Sequence, residues 1–120
     1  MPDPSQDLRN KVLGRKAEKL TRHYLRRRGY KIVAKNYMTP FGEADIVARA
    51  PDGTYCFVEV KARTSGQLSS PLEAITPEKR ERYRMIARCF CAQRRREEPV
   101  RFDVAAVLDG KLEYLEDAFM

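Results

Sequence analysis

The sequence contains few of the residues that build disulfide scaffolds or histidine metal centres: three cysteines, one histidine and no tryptophan. Cys56, Cys89 and Cys91 cannot all pair among themselves, and on a helix the last two thiols would point about 200° apart. We therefore expect neutral thiols in a reducing compartment rather than disulfides or a metal site. His23 has no potential ligand at metal-binding spacing, and we assign it no role.

Long apolar runs are also absent. No stretch approaches the ~18 residues that a membrane-spanning helix needs, and residues 1–5 are acidic and lack the apolar region of a signal peptide. We therefore expect no membrane partner and a cytoplasmic location. A chain of 120 residues is long enough for one domain, 1–120, with a modest core.

Acidic residues are outnumbered by basic ones. Lys and Arg total 24 against 17 Asp and Glu, which gives a formal net charge of +7. A basic excess of this size favours polyanionic partners, nucleic acid first and an anionic membrane surface second.

A first helix is predicted after a loose tail of residues 1–7. Apolar residues of this helix recur at steps of four, three and four positions along the chain, which is a helical period. These residues are Leu13, Ala17, Leu20 and Tyr24. We expect the helix to cover about residues 7–28 and to end at Gly29, because glycine readily adopts the left-handed conformation of a helix cap.

The rest of the chain predicts strands around a second helix. The strands are expected at residues 30–34, 43–49, 54–62, 100–108 and 111–115. A turn at 50–53 would join the second and third strands into a hairpin, and Asn36 with residues 40–42 would form another turn. Thr76 and Pro77 predict the start of the second helix, over about residues 77–96. The order αβββαβ, with one further strand, predicts an α/β fold with a mixed sheet flanked by helices.

Residues 64–70 form a polar segment between the third strand and the second helix. Its composition is typical of a substrate-contacting loop, because such loops often carry function. An ordinary connector is the alternative.

The run Phe57-Val58-Glu59-Val60-Lys61 places a carboxylate and an ammonium two residues apart on a predicted strand. Because strand side chains alternate between faces, Glu59 and Lys61 should point to the same side. Asp45 lies on the neighbouring strand of the same hairpin. We therefore expect the three side chains to converge, although a solvated sheet face carrying Glu–Lys pairs would also explain the pattern.

This set of residues suits a divalent cation and an activated water. Asp45 and Glu59 supply the hard oxygen ligands that Mg²⁺, or Mn²⁺ in its place, prefers. Lys61 would orient or deprotonate the water, or stabilise charge on a phosphate. Glu18 lies at the border of the first helix's apolar stripe, one turn after Gly14, and is a candidate accessory ligand. A surface or ion-paired glutamate is the alternative there.

Basic residues cluster on both predicted helices. The residues that we expect to contact nucleic acid are Arg26, Arg27, Arg28, Arg63, Lys79 and Arg84. Phosphate contacts of this kind need no sequence-specific geometry. The alternative is a solvated helix face whose terminal cations offset the helix dipole. Lys79 precedes Tyr83 by one turn on the sheet-facing side, which would point it at the acidic residues.

Four segments carry a family resemblance: Gly-Arg-Lys-Ala-Glu at 14–18, Gly-Glu-Ala-Asp-Ile-Val at 42–47, Phe-Val-Glu-Val-Lys-Ala-Arg at 57–63 and Arg-Phe-Asp at 101–103. They resemble the PD-(D/E)xK nuclease superfamily, particularly the archaeal Holliday junction resolvases. More closely, the chain resembles the uncharacterised bacterial YraN-type family. The resemblance implies a restriction-endonuclease-like fold, a metal-dependent nuclease site, and a further metal oxygen from the Val60 carbonyl.

We therefore expect a Mg²⁺-dependent, structure-selective endonuclease acting on DNA. A non-catalytic nucleic-acid-binding module that retained the nuclease fold is the main alternative, and a basic protein-interaction adaptor is a third. The sequence does not distinguish DNA from RNA, or branched from linear molecules, as the substrate. It also leaves open whether the chain forms a homodimer.

Overall fold

The computed structural model describes residues 4–64 and 75–119 of the chain. Its elements are α1 (Pro4–Arg27), β1 (Lys31–Thr39), β2 (Gly42–Arg49), β3 (Tyr55–Arg63), α2 (Pro77–Arg94), β4 (Val100–Leu108) and β5 (Lys111–Leu115). The predicted α/β class and αβββαβ order are confirmed, and the arrangement is compatible with a restriction-endonuclease-like core. Most of the predicted polar loop, residues 65–70, lies outside the described residues.

The five strands form one mixed sheet in the order β1-β2-β3-β4-β5. Short turns make β1–β2, β2–β3 and β4–β5 antiparallel, whereas β3 and β4 are parallel because the connection between them contains α2. The predicted hairpin of β2 and β3 is confirmed.

Pairing between β2 and β3 stops partway along both strands. It joins Ile46 to Val58 and continues only towards the turn at 50–53. Beyond this point, β2 pairs with β1 and β3 pairs with β4. The two strands therefore separate at Asp45 and Glu59, and we call this space the β2–β3 fork.

The helices cover opposite faces of the sheet. Strand alternation sends Phe57 and Val104 towards α2, where they pack with Ile86 and Phe90 of that helix. The intervening residues pack with α1; this second cluster includes Leu25, Ile46, Val58 and Ala105. Glu59 and Lys61 share the strand phase of Phe57, so both belong to the α2 side. Neither of the two helices in the described chain is long and apolar enough to cross a membrane.

Helix α1 differs from its prediction at its start and on its buried face. It begins at Pro4, so the predicted loose tail is wrong over residues 4–7. Proline suits a first helical turn because its missing N–H would be unpaired there. The buried stripe is Ala17, Thr21 and Leu25, while Leu20 is half-buried. Thr21 is tolerated in the core because its hydroxyl donates to the Ala17 carbonyl at 2.7 Å.

Strand β1 is longer than predicted, and the predicted turn at Asn36 is wrong. Asn36 lies inside β1 with a φ of 49°, a left-handed conformation that asparagine tolerates better than most residues. Pairing with β2 continues on both sides of it, and the register also shifts between Ile32 and Ala34. β1 therefore continues through both the register shift and the left-handed residue.

Helix α2 begins where the sequence predicts. The Thr76 side chain accepts a hydrogen bond from the Lys79 N–H at 3.1 Å, and Pro77 occupies the first turn. The helix ends at Arg94, two residues before the predicted limit, because Arg95 adopts a left-handed capping conformation. Its buried residues include Tyr83, as predicted from the helical spacing.

Candidate active site

Asp45 and Glu59 meet in the β2–β3 fork. Because the two strands no longer pair with each other there, Asp45 takes over part of the ladder: its Oδ2 accepts the Val60 N–H at 2.8 Å. The Asp45 carboxyl also lies close enough to Glu59 for that residue to raise its pKa. The structure therefore brings together the two carboxylates that the sequence singled out.

Burial and crowding favour the protonated form of Asp45. Burial first, and then the proximity and charge of Glu59, raise its pKa to about 8. The Val60 N–H opposes the shift because it stabilises the carboxylate. A nearby cation would lower this pKa again, since it would favour the ionised pair.

Glu59 is held from the α2 side by two residues of that helix. Its side chain is buried, with the residue only 7% exposed. The Tyr83 hydroxyl donates to Oε1 at 3.4 Å, and the Lys79 ammonium lies 2.5 Å from Oε2. The prediction that Lys79 points at the acidic residues is confirmed. For Tyr83 the sequence predicts only that it faces the sheet, although its spacing of four residues from Lys79 places both on one helix face.

Lys61 is half-buried beside Glu59 and Lys79. Burial lowers the pKa of its ammonium, and the nearby positive charge of Lys79 lowers it further, while Glu59 opposes the change. The side chain therefore gives up its proton more readily than an ordinary lysine does. A lysine of this kind can take part in proton transfer as well as in charge stabilisation.

Glu18 belongs to the α1 side of the fork. Its negative charge contributes to the raised pKa of Asp45, and burial raises the pKa of Glu18 itself. Space is open beside Gly14, one turn before Glu18, because a Cβ on Gly14 would meet nothing within 4 Å. With its amide nitrogen facing the two carboxylates, Asn36 donates to Glu18 Oε1 at 3.2 Å and to Glu43 Oε1 at 2.9 Å.

Asn36 is a site residue that the sequence reasoning missed. Its left-handed backbone conformation is unusual in a strand, and such conformations are common beside functional sites. The only available signal was the tolerance of asparagine for this conformation, which predicted a turn instead.

The fork suits a cation that keeps most of its water. Within residues 4–64 and 75–119, no three carboxylate, thiol or imidazole groups gather as a metal cage. Asp45 and Glu59 form a crowded acidic pair, and the raised pKa of Asp45 means that a nearby cation would favour its ionised form. Mg²⁺ is commonly bound by one or two carboxylates with several waters retained, so the residues present fit it. The roles of Glu18 and the Val60 carbonyl as further ligands stay predictions.

The predicted nucleic-acid contacts do not all lie near the fork. Arg26, Arg27 and Arg28 are exposed at the end of α1, which leads into Lys31. Lys31 pairs with Arg49, about 13 Å along β2 from Asp45 at ~3.3 Å per residue. The structure therefore separates this cluster from the carboxylates.

The remaining two arginines in this set differ in their positions. Arg84 is exposed, pairs with Glu81 at 3.2 Å, and lines a groove of about 690 Å³ that Phe102 and Arg95 also line. None of the fork residues lines that groove. Arg63, in contrast, ends β3 close enough to lower the pKa of Lys61. Contact of either residue with nucleic acid stays a prediction.

The Arg101-Phe102-Asp103 segment has a structural role that the sequence did not reveal. Asp103 is fully buried on the α1 side and accepts hydrogen bonds from Arg101, from the Tyr114 hydroxyl at 2.6 Å and from the Asp117 N–H at 2.9 Å. The next residue, Ala118, donates its N–H to the Phe102 carbonyl at 2.8 Å. These bonds fix the segment after β5 against β4.

The fixed segment supports the site through Tyr83. It places Phe119 against Tyr83, with ring centroids 4.9 Å apart, and Tyr83 in turn donates to Glu59. Cys56 lies near Asp103, and burial followed by the charge of Asp103 raises the pKa of its thiol to about 12. All three cysteines are free thiols.

Fold and site together define a class: a mixed α/β protein with two carboxylates and two lysines at the point where adjacent strands separate. The chain belongs to the uncharacterised protein family UPF0102, whose family model matches residues 17–107. The predicted membership of the YraN-type family is thereby confirmed.

Individual relatives support the same assignment. A UPF0102 protein of Thermodesulfovibrio yellowstonii is 42% identical over 108 residues, covering 89% of this chain and 95% of the relative. One of Cupriavidus taiwanensis is 41% identical over 117 residues, covering 98% and 86%. One of Shewanella sp. strain ANA-3 is 38% identical over 108 residues, covering 90% and 99%.

Proposed function

We propose that this protein is a metal-dependent endonuclease of the PD-(D/E)xK superfamily, which hydrolyses phosphodiester bonds of DNA at sites selected by DNA structure. The observation that supports it most is the proximity of the Asp45 and Glu59 carboxylates in the fork, with Lys61 beside them. Two adjacent carboxylates can hold a cation, and a lysine of lowered pKa can accept a proton from water, and metal-assisted hydrolysis can use both functions. Mg²⁺ is the proposed cofactor, and Mn²⁺ is expected to replace it.

Asp45 and Glu59 would hold the cation, with the Val60 carbonyl and Glu18 as candidate further oxygen ligands. Bound Mg²⁺ would supply charge stabilisation at the phosphate and would acidify a water. The Val60 N–H occupies one oxygen of Asp45 and so fixes the direction of the other. Tyr83 restrains Glu59 in the same way through Oε1.

Lys61 has two chemical roles open to it. As a neutral amine it would accept a proton from the attacking water, and as an ammonium it would stabilise the negative charge on the phosphate. Burial and Lys79 favour the first role because both lower the pKa of Lys61. The excess of basic residues over the whole chain, +7, would attract the polyanionic substrate.

A non-catalytic nucleic-acid-binding module is the second candidate, and one contact favours it. Lys79 already neutralises Glu59 at 2.5 Å, so the site has an internal cation where a metal would act. In a non-catalytic protein Glu59 would bind no metal, so its carboxylate could remain in the ion pair with Lys79.

A cleavage assay separates the two candidates. Branched, flapped and linear DNA would be incubated with the protein in Mg²⁺, in Mn²⁺ and in EDTA. We expect cleavage of branched or flapped DNA that requires the metal and that Asp45→Asn abolishes, because the amide is a poorer cation ligand. Asp52→Asn, which changes an exposed carboxylate in the β2–β3 turn, is the matched control and should retain activity.

The same assay has two outcomes against the proposal. DNA binding without cleavage under any metal condition would favour the binding module. Cleavage that Asp45→Asn leaves unchanged would place the activity outside the fork.

A further inference from the structure

Two apolar side chains project from the tip of the β1–β2 hairpin. Met38 is 69% exposed and Phe41 is 46% exposed. Single exposed apolar residues are ordinary on protein surfaces. These two differ from that background because both lie at the end of one hairpin, Met38 in β1 and Phe41 in the turn, and because the strand that follows leads directly to Asp45.

The tip is braced rather than loose. The Thr39 hydroxyl donates to the Gly42 carbonyl at 3.0 Å and accepts the Phe41 N–H at 3.1 Å. Gly42 has a φ of 137°, and a Cβ at this position would lie 2.6 Å from Arg82 Cδ. The stem of Arg82 therefore lies against the turn. An aromatic ring on a braced turn loses little conformational entropy when it binds.

The tip lies within a short distance of the fork. Phe41 precedes Asp45 by four residues, which is at most about 13 Å at ~3.3 Å per residue. Phosphates along one DNA strand of a duplex are spaced by about 3.4 Å of helix axis. A strand that runs from a phosphate at Asp45 towards the tip would therefore reach it within about four nucleotides.

We propose that Phe41 stacks on an unpaired nucleobase of the strand held at the fork, with Arg82 contacting an adjoining phosphate. This inference rests on the proposed function and deepens it: the substrate is DNA with unpaired bases within about four nucleotides of the attacked phosphate. Bases inside a continuous duplex are stacked on both sides, so they offer no face to the ring. An unpaired base does, and aromatic stacking of this kind tolerates any sequence.

A second copy of the chain fits this surface less well. A stable dimer buries about 800 Å² on each partner, and one phenylalanine with one methionine provides only a small part of that area. The arginine held against the turn also suits a phosphate better than an apolar partner surface.

The experiment measures binding in EDTA, where the proposed cleavage cannot occur. Bulged, flapped and continuous duplex DNA would be titrated with wild type, Phe41→Leu, Phe41→Ala and Phe41→Trp, and Met38→Ala would serve as the matched control. We expect Phe41→Ala and Phe41→Leu to weaken binding to bulged and flapped DNA by roughly 5- to 150-fold, the equivalent of ~1–3 kcal/mol for one stacked base. Phe41→Trp should retain the affinity, and continuous duplex should be bound equally by all.

A fluorescent base locates the contact. 2-Aminopurine placed singly at unpaired positions near the branch point should be quenched by wild type at one or two positions and not by Phe41→Leu. Equal losses on duplex and unpaired DNA, or full affinity of Phe41→Leu for bulged DNA, would overturn the stacking proposal. None of these measurements depends on cleavage. If the stacking proposal is right and the nuclease proposal is wrong, wild type should quench the fluorescent base but should not cleave the DNA when Mg²⁺ is added.

Discussion

Lys79 of α2 places its ammonium 2.5 Å from Glu59 Oε2, so one carboxylate of the fork already has an internal counter-ion. The same carboxylate accepts from Tyr83 one helical turn further along α2. Helix α2 therefore orients the Glu59 carboxylate through Tyr83 and offsets its negative charge through Lys79. The first effect would favour binding of a cation, and the second would oppose it.

Replacing Lys79 by methionine should strengthen binding of divalent cations. Loss of the ammonium removes a competing positive charge, which we expect to raise Mn²⁺ affinity by roughly tenfold, about 1.4 kcal/mol. Calorimetric titration with Mn²⁺ measures the change. Arg82→Met is the matched control, because it removes an exposed cation from the same helix without touching Glu59. Weaker binding by Lys79→Met would instead show that Lys79 orients Glu59 for the metal.

Glu59→Gln and Lys61→Ala should agree in activity and differ in binding. Both should abolish cleavage, since one removes a charged metal ligand and the other removes the proton-transfer group. Glu59→Gln should bind DNA as well as wild type or slightly better, because it removes an anion near the phosphate. Lys61→Ala should bind more weakly because it removes a cation.

DNA titration in EDTA and single-turnover cleavage in Mg²⁺ would measure the two properties of these variants separately. Cleavage at the wild-type rate by Glu59→Gln would show that any activity comes from another site or from a contaminant. Equal DNA affinity of the two variants would show that Lys61 does not contact the substrate.

The metal-free protein should lose stability as the pH rises towards 8. The pKa of Asp45 is raised from 3.8 to about 8 in the folded state. Between these values the folded state holds a proton that the unfolded state has released, so the free energy of unfolding falls with increasing pH. The contribution is fully present below pH 3.8 and is lost above about 8.

Asp45→Asn isolates this effect. The amide cannot ionise, so at pH 9 the variant should melt higher than wild type, by about 4 °C for each kcal/mol recovered. Thermal unfolding in EDTA across the pH range measures the difference, with Glu113→Gln on exposed β5 as the control. An equal Tm difference between Asp45→Asn and wild type at every pH would contradict the raised pKa.

Removing the Asp103 carboxylate should cost more stability than removing the exposed Glu113 carboxylate. Asp103→Ala leaves Arg101 and Tyr114 without their shared acceptor in a buried site, and we expect a loss of roughly 3–5 kcal/mol. Urea unfolding measures it. Glu113→Ala, on the exposed face of the adjacent β5, should cost less than ~0.5 kcal/mol. A loss below about 1 kcal/mol for Asp103→Ala would mean that the network is solvated and replaceable.

DNA binding should depend steeply on salt and little on sequence. Neutralising Arg26, Arg27 and Arg28 together should reduce the slope of log K against log salt by up to ~2.7, which is about 0.9 for each phosphate that the protein no longer neutralises. Neutralising residues 94–96 should change it less, because Arg94 and Arg96 already pair with Glu98. Binding that is unchanged between low and high salt would favour the adaptor alternative.

Much of the fold and part of the site could be predicted because they depend on local periodicity. The alternation of β3 placed Glu59 and Lys61 on one side, and Thr76 with Pro77 marked the start of α2. The same reasoning failed at Asn36, where a residue typical of turns lies within a strand. A local preference was overridden there by pairing with β2 on both sides.

What the sequence determined by itself is the element order, the α/β class and the two carboxylates with Lys61 as the candidate site. Only the tertiary structure decided that Tyr83 donates to Glu59, that Asn36 joins Glu18, and that Asp103 fixes the segment after β5, which packs against Tyr83. The physical reason is that these contacts join different elements, such as Tyr83 and Glu59 at a separation of 24 residues, where no local period applies. The raised pKa of Asp45 has the same origin, because burial exists only once the sheet and both helices have packed.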